Sequence, residues 1–456
     1  MKQTLLVNVV GLTRGMLGSD TPHLSALADG GDAKPLRTIT PAVTCSVQSS
    51  MVTGTLPREH GCVANGWYFR DLASVWLWRQ SNALVQGDKL WDLARRRSDR
   101  FTVAKMFWWY NMYASVDWAV TPRPIYRANG RKLPDIHADP PTLRHVLQAE
   151  LGPFPLFDFW GPRAGLPSSK WIAEASRRVV EMHEPTLTMV YLPHLDYDLQ
   201  RFGPESAQAR KAVRDIDEVC GELVDFATGR GMRVVVVSEY GITAVRDAVH
   251  INRVLREAGH IQFRLEEGEE HLDPGLSEAF AVADHQVAHV YVRDPALVPE
   301  IKALLEATDG VERVLDEAGK RAEGLDHPRS GELVAISEAD RWFSYYWWLD
   351  DRVAPDYART VDIHSKPGYD PCELFVDPQI PLAPVYLGAK LVRSKLLNLR
   401  TLLDVIPLDT SLVRGSHGRP TDDPDAGPVV IARGVAVPAN PHVTDVRDLV
   451  LRAVFE

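Results

Sequence analysis

Four short apolar runs, residues 5–10, 101–107, 186–192 and 233–239, stand far apart in this chain, each bounded by polar or turn residues. Runs this short and this apolar read as strands buried on both faces, the habit of a mainly parallel sheet. Between them lie stretches with helical spacing of apolar residues, notably 170–183 and 206–228. Such alternation requires right-handed crossovers and puts helices on both faces of the sheet. The expected fold is therefore α/β, with a mostly parallel central sheet between helices. In such sheets ligands gather beyond the carboxyl ends of the strands. That singles out His194, Asp196 and Asp198 after one run, and Glu239 and Tyr240 after another. Residues 44–52 read as a helix that opens at Thr44 and is stopped by Gly54.

A chain of 456 residues can hold about three domains or one core with insertions. Its formal net charge of −10 argues against a nucleic-acid partner, which would need a basic face. An anionic substrate stays open, because bound cations reverse a local field. Cys45, Cys62, Cys220 and Cys372 are scattered without metal-type spacing, and a disulfide framework is not expected in so large a chain. Residues 2–12 read better as a first strand than as a signal peptide, and no apolar stretch is long enough to span a bilayer. The expectation is a cytoplasmic protein with no membrane partner. Seven of the twelve tryptophans fall in residues 67–118, and 342–348 is almost wholly aromatic. These sets suit core packing or, more sharply, an aromatic cap over a substrate's organic part. Residues 1–265 and 390–456 are expected to form the core, and 266–389 a cap or insertion to which 67–118 also contributes.

The most specific motif is Thr40-Pro41-Ala42-Val43-Thr44, followed by Thr53-Gly54-Thr55-Leu56-Pro57, His60-Gly61 and Asn65. It resembles the nucleotide pyrophosphatase/phosphodiesterase family of the alkaline phosphatase superfamily. The resemblance implies that Thr44 is the nucleophile attacking phosphorus and that Asn65 binds a phosphate oxygen. Residue chemistry agrees: a hydroxyl needs activation to attack, and a helix N-terminus favours anions.

The remaining family positions are altered. Asp196 matches a metal-binding aspartate, but Gln200 stands where a histidine is expected four residues on. Ser238-Glu239-Tyr240-Gly241 stands for Ser-Asp-His-Gly, and tyrosine is a poorer ligand than imidazole. Gly415-Ser416-His417-Gly418 matches the final metal-binding histidine. The first strand ends in Val10-Gly11 instead of Asp-Gly, leaving Asn8, two residues earlier on the same face, as a neutral candidate. A second segment offers Asp362, His364 and Asp370, with Asp362 and His364 on one face if extended. Asp284-His285 and His289 form a further pair, ranked below His364.

The resemblance implies hydrolysis of phosphodiester or pyrophosphate bonds in a small-molecule phosphate ester, through a phospho-threonine intermediate and with a divalent metal ion. Zinc is the family expectation, and manganese or magnesium gain from the altered ligands. The candidate ligands are Asp196, Glu239, His417, His364, Gln200 and Asn8; Arg201 and Tyr240 are the candidate substrate contacts. A phosphomonoesterase or phosphotransferase with the same nucleophile is the first alternative, and a catalytically impaired binding protein of the same fold the second. A homo-oligomer is left open.

Overall fold

The computed structural model describes residues 1–128, 132–382 and 402–456, together with residues 385, 386, 388, 390, 392 and 396. Eight strands form the main sheet, in the order Asp32–Pro35, Val429–Arg433, Arg233–Val237, Thr4–Val9, Leu187–Leu192, Val103–Met106, Trp118–Pro122 and Ile136–Asp139. Thr4–Val9 is parallel to both of its neighbours, and the parallel pairing continues through Val103–Met106 to Trp118–Pro122. Val429–Arg433 and Ile136–Asp139 run antiparallel to the strands they join. The expected α/β architecture is thus present, with every residue of Thr4–Val9 and Leu187–Leu192 buried, as a sheet covered on both faces demands.

Helices Leu166–His183 and Ala207–Gly229 occupy the stretches whose spacing predicted them. Ser206 caps the second, its hydroxyl accepting the Ala209 N–H at 3.0 Å and satisfying an otherwise orphaned donor. Register brings the carboxyl ends of the three central strands level: Asn8 lies opposite Tyr191 on one side and Val237 on the other. The chain therefore leaves the sheet at one edge three times, next to residues 8–11, 193–196 and 238–240.

A second sheet is antiparallel, in the order Ala279–Asp284, Val287–Val292, Leu333–Ser337 and Val311–Leu315. It has its own apolar cluster, which includes Phe280, Tyr291, Tyr345, Tyr346, Trp347 and Trp348. The aromatic run at 342–348 is therefore core packing, and truncating either Trp347 or Trp348 would cost about 3–5 kcal/mol. Within 67–118 the outcome divides. Trp91 and Trp108 are fully buried, whereas Trp78 and Trp109 are half-buried and pack together at 4.8 Å. Residue 389, the expected end of the insertion, lies outside the described residues. No described helix is long and apolar enough to cross a membrane.

Candidate active site

Val43 is extended, and the chain turns from it into helix Thr44–Thr53 with Thr44 as its first residue. Gly54 ends the helix at φ +68°, its N–H bonding the Ser50 carbonyl at 2.8 Å. That left-handed position suits glycine, which accounts for the Thr-Gly step of the motif. His60 follows on the short turn Pro57–His60. Its Nδ1 accepts the Cys62 N–H at 3.1 Å, so Nε2 carries the proton and donates to Ser50 Oγ at 2.9 Å. Burial lowers the His60 pKa to about 3 and keeps the ring neutral. The loop is thereby tied to the helix and delivers Asn65 to the helix start, where Asn65 Oδ1 accepts the Cys45 N–H at 2.9 Å. Asn65 in turn donates its backbone N–H and Nδ2 to Asp284, at 2.8 and 3.0 Å.

Around this corner three buried carboxylates are held by neutral donors. Glu239 Oε1 accepts from Asn8 Nδ2 at 2.5 Å and from Gln48 Nε2 at 2.6 Å. Asp196 accepts from Gln200 Nε2 at 2.8 Å and from the Tyr240 hydroxyl at 3.3 Å. Asp284 adds His285 Nδ1 at 2.7 Å to its two bonds from Asn65. Burial pushes these carboxyls up, Glu239 to about 8, Asp196 to about 7 and Asp284 to about 6. Among the described residues none of the three meets a lysine or an arginine.

Tyr240 links the two corners. Its hydroxyl lies 3.1 Å from Thr44 Oγ1, and its one proton goes to Asp196, so Thr44 donates to Tyr240 and keeps its lone pairs for other work. The Tyr240 ring lies flat on His417, centroids 3.6 Å apart and planes 7° apart. The stack continues to His285 at 3.7 Å and Tyr369 at 3.6 Å, giving a column of four rings. Tyr369 closes the circuit by donating to Gln200 Oε1 at 3.0 Å.

The divalent ion that the resemblance implies finds only partial support in these donors. No group of three or more His, Cys, Asp or Glu side chains is placed to hold an ion among the described residues. Beside Asp196, His417 donates Nδ1–H to the Ala42 carbonyl at 2.8 Å, which leaves Nε2 a bare, buried and unpartnered lone pair 3.6 Å from Asp196 Oδ1. A ligand histidine anchored through its other nitrogen has this arrangement. Asp196 itself already accepts from Gln200 Nε2 and the Tyr240 hydroxyl. At Glu239 two amide N–H groups face Oε1, Oε2 is buried without a partner, and Val10 has no donor atom.

Asp196, Glu239, His417, Gln200, Asn8 and Tyr240 thus come together with Thr44 and Asn65, Asn8 as a donor to Glu239. His364 does not join them. The segment from Asp362 is a turn, because Asp362 Oδ1 accepts the N–H groups of His364 and Ser365. His364 packs near Tyr126, with Arg79 and Lys132 as its charged neighbours. Asp370 is paired with buried Lys366 at 2.7 Å. Arg201 spends its guanidinium on Asp198 and on the carbonyls of Leu374, Ala164 and Gly161. Sequence reasoning missed Gln48 and Tyr369 and ranked Asp284-His285 too low. Gln48 had a signal: four residues after Thr44, it shares that helix face. Asp284 ends a strand, the position singled out elsewhere in the chain.

The family model for type I phosphodiesterase / nucleotide pyrophosphatase matches residues 4–370. Among solved structures, phosphonoacetate hydrolase from Sinorhizobium meliloti 1021 in complex with phosphonoformate aligns with a TM-score of 0.63 at 14% identity, covering 99% of this chain and 96% of that one. An inactive variant of murine ectonucleotide pyrophosphatase/phosphodiesterase 5 in complex with AMP gives 0.59 at 14% identity, covering 100% and 95%. The human counterpart gives 0.59 at 13%, with the same coverage of 100% and 95%. These likenesses establish the shared fold. No curated protein sequence matches this one.

Proposed function

Because the chain belongs to the type I phosphodiesterase / nucleotide pyrophosphatase family, we propose that it hydrolyses a phosphodiester or pyrophosphate bond with Thr44 as the attacking group. One observation carries the reading. Thr44 Oγ1 sits at a helix N-terminus, its proton directed to Tyr240 at 3.1 Å, with Asn65 fixed to the next residue. A hydroxyl oriented by an acceptor presents a lone pair to phosphorus, and the helix N-terminus favours the anion that forms. The attack makes the Thr44–phosphorus bond and breaks the bond to the leaving oxygen. Water then displaces Thr44 and completes the hydrolysis. Asn65 has a second Nδ2 proton beyond the one given to Asp284, and that proton is our donor to a phosphoryl oxygen.

The family generally depends on divalent metal ions. One held by Asp196 and His417 would supply Lewis-acid stabilisation of a phosphoryl oxygen. Zinc suits the imidazole, and manganese or magnesium suit the oxygen donors beside it.

A diester is favoured over a monoester because, among the described residues, the carboxylates beside Thr44 meet no lysine or arginine that could hold a dianion: Arg201 is committed to Asp198 and to carbonyls. The ligands of the structural neighbours, AMP and phosphonoformate, are small phosphorus-containing anions, in keeping with this class. Half-buried Trp78 and Trp109, with Trp78 also 6.2 Å from Tyr369, suit a bulky or planar leaving group. We take 266–389 as the insertion that closes over the site, and the cytoplasm as its location, since all four cysteines are buried thiols. The test is turnover of an aryl phosphodiester, with mass-spectrometric mapping of phosphate on Thr44 after rapid quench. Turnover with label on Thr44 supports the reading; turnover that survives Thr44→Ala refutes it.

A further inference from the structure

Lys105, in strand Val103–Met106, is only 1% exposed, and among the described residues its bonding partners include no carboxylate. An ammonium taken out of water is costly unless its protons are met. Here Nζ donates to the carbonyls of Trp109 and Tyr110, both at 2.8 Å, with the Trp91 ring 5.1 Å away. The segment it grips is strained. Phe107, Tyr110 and Tyr113 all have left-handed backbone, at φ +66°, +52° and +64°. Bulky residues rarely adopt that region, and they hold it only where the surroundings over-determine it. Asn82 Nδ2 adds a second bond to the Tyr110 carbonyl at 2.8 Å. Asn111 Nδ2 ties down the carbonyls of Lys105 and Val120, at 2.9 and 2.8 Å.

What this grip places is Trp109. Its N–H donates to Gln48 Oε1 at 2.7 Å, which turns the amide so that Nε2 faces Glu239 at 2.6 Å. Its ring lies 4.8 Å from Trp78. Trp78 in turn donates its N–H to the Asn65 carbonyl at 2.9 Å, and its backbone is also left-handed, at φ +61°. The two half-buried indoles thus hang from residues beside Thr44, one through Gln48 and one through Asn65.

We propose that Lys105 is a positioning residue: by gripping the carbonyls of Trp109 and Tyr110 it holds the Trp109 indole against Trp78 and so sets a preference for esters with a planar group. The inference deepens the hydrolase reading and rests on it for the ligand, whereas the placement of the indoles is readable with no ligand at all. Lys105 itself touches no substrate. A lysine used this way governs affinity and selectivity rather than the attack on phosphorus.

Lys105→Met keeps an unbranched apolar stem and removes the donors. In the full-length protein it should weaken calorimetric binding of diphenyl phosphate roughly 3- to 10-fold, the worth of an aromatic contact, and leave dimethyl phosphate unchanged. In turnover of an aryl phosphodiester the loss should appear in KM, with kcat within about twofold of the parent. The paired indoles should also give an exciton couplet in circular dichroism, isolated as the parent spectrum minus that of Trp109→Phe, and Lys105→Met should lose it. Lys105→Gln, which can still meet one carbonyl, should act in the same direction and serves if Lys105→Met fails to fold. A parent with no diphenyl preference would overturn the proposal. So would a variant that melts lower but retains either the couplet or that preference, the behaviour of a lysine with a merely structural role. If the parent binds neither ester, the hydrolase reading falls and the couplet alone decides: its loss with Lys105→Met supports the positioning role, and its retention overturns it.

Discussion

The threonine corner and the carboxylate corner of this pocket are about one hydrogen bond apart, yet they keep very different amounts of their family's pattern. Thr44, Gly54, His60 and Asn65 stand in the family order, and each has a local task that only its residue type performs. At the carboxylate corner Val10, Gln200, Glu239 and Tyr240 have all departed, and a connected set of neutral donors has taken over. The difference teaches that the two corners are constrained by different things. The first must present one hydroxyl at one angle. The second must hold three carboxylates in a dry place, and amides and phenols supply most of the donors there, Glu239 Oε2 alone among the carboxylate oxygens being left without one.

The sharpest break in the comparison is Thr44→Ala. Turnover should fall by at least about 10³-fold, with the melting temperature within about 2 °C of the parent. Near-parental kcat would mean that the threonine corner is not the reacting one. Asp284→Asn comes next, because Asp284 positions both Asn65 and His285. A kcat loss of about 10²-fold at nearly constant KM is expected, the size seen when an oxyanion donor is lost; a change in KM alone would make Asp284 a binding residue. Tyr240→Phe removes the bridge between the corners. Hydrogen bonds to charged groups are worth about 1.5–3 kcal/mol, so kcat should drop roughly 10- to 100-fold, and an unchanged rate would show that the corners work independently.

The smallest effect concerns stability. The His60 pKa falls from 6.5 to about 3 on folding. Between those values the unfolded chain binds the proton and the folded one does not, so His60 contributes stability that fades as pH falls below 6.5. His60→Gln should therefore cost stability at pH 7.5, and its gap from the parent should narrow by up to about 1.4 kcal/mol per pH unit on acidification. A gap that stays constant from pH 7.5 to 5 in chemical denaturation would rule out a buried neutral His60.

The central strands and the helix that opens at Thr44 were legible because their determinants are local. Apolar runs of five or six residues, and a glycine at a left-handed helix end, announce themselves within a short window. Asp196, Glu239 and Tyr240 were legible too, since they follow strands whose carboxyl ends converge. What the sequence hid was pairing across distance. Nothing near Asp284 shows that it will accept from Asn65, 219 residues away. Nor does anything near His364 show that Asp362 will fold back on its own chain and spoil the extended pairing. The amide of Gln48 looked like one more polar residue on a helix until Glu239, from another strand, arrived beside it.

Asp284 and His285 belong to a hairpin of the second sheet, whereas Thr44 opens a helix and Glu239 follows a strand of the first sheet. The arrangement of Asn65 beside Thr44 therefore depends on both folded layers meeting at the hairpin tip, where Gln286 N–H meets the His417 carbonyl at 2.8 Å. Heat or denaturant need only lift that tip to release Asn65, without melting either sheet. Inactivation should thus run ahead of global unfolding, and hydrogen exchange at the amides of Asn65 and Gln286 should track the loss of turnover more closely than exchange in the central strands.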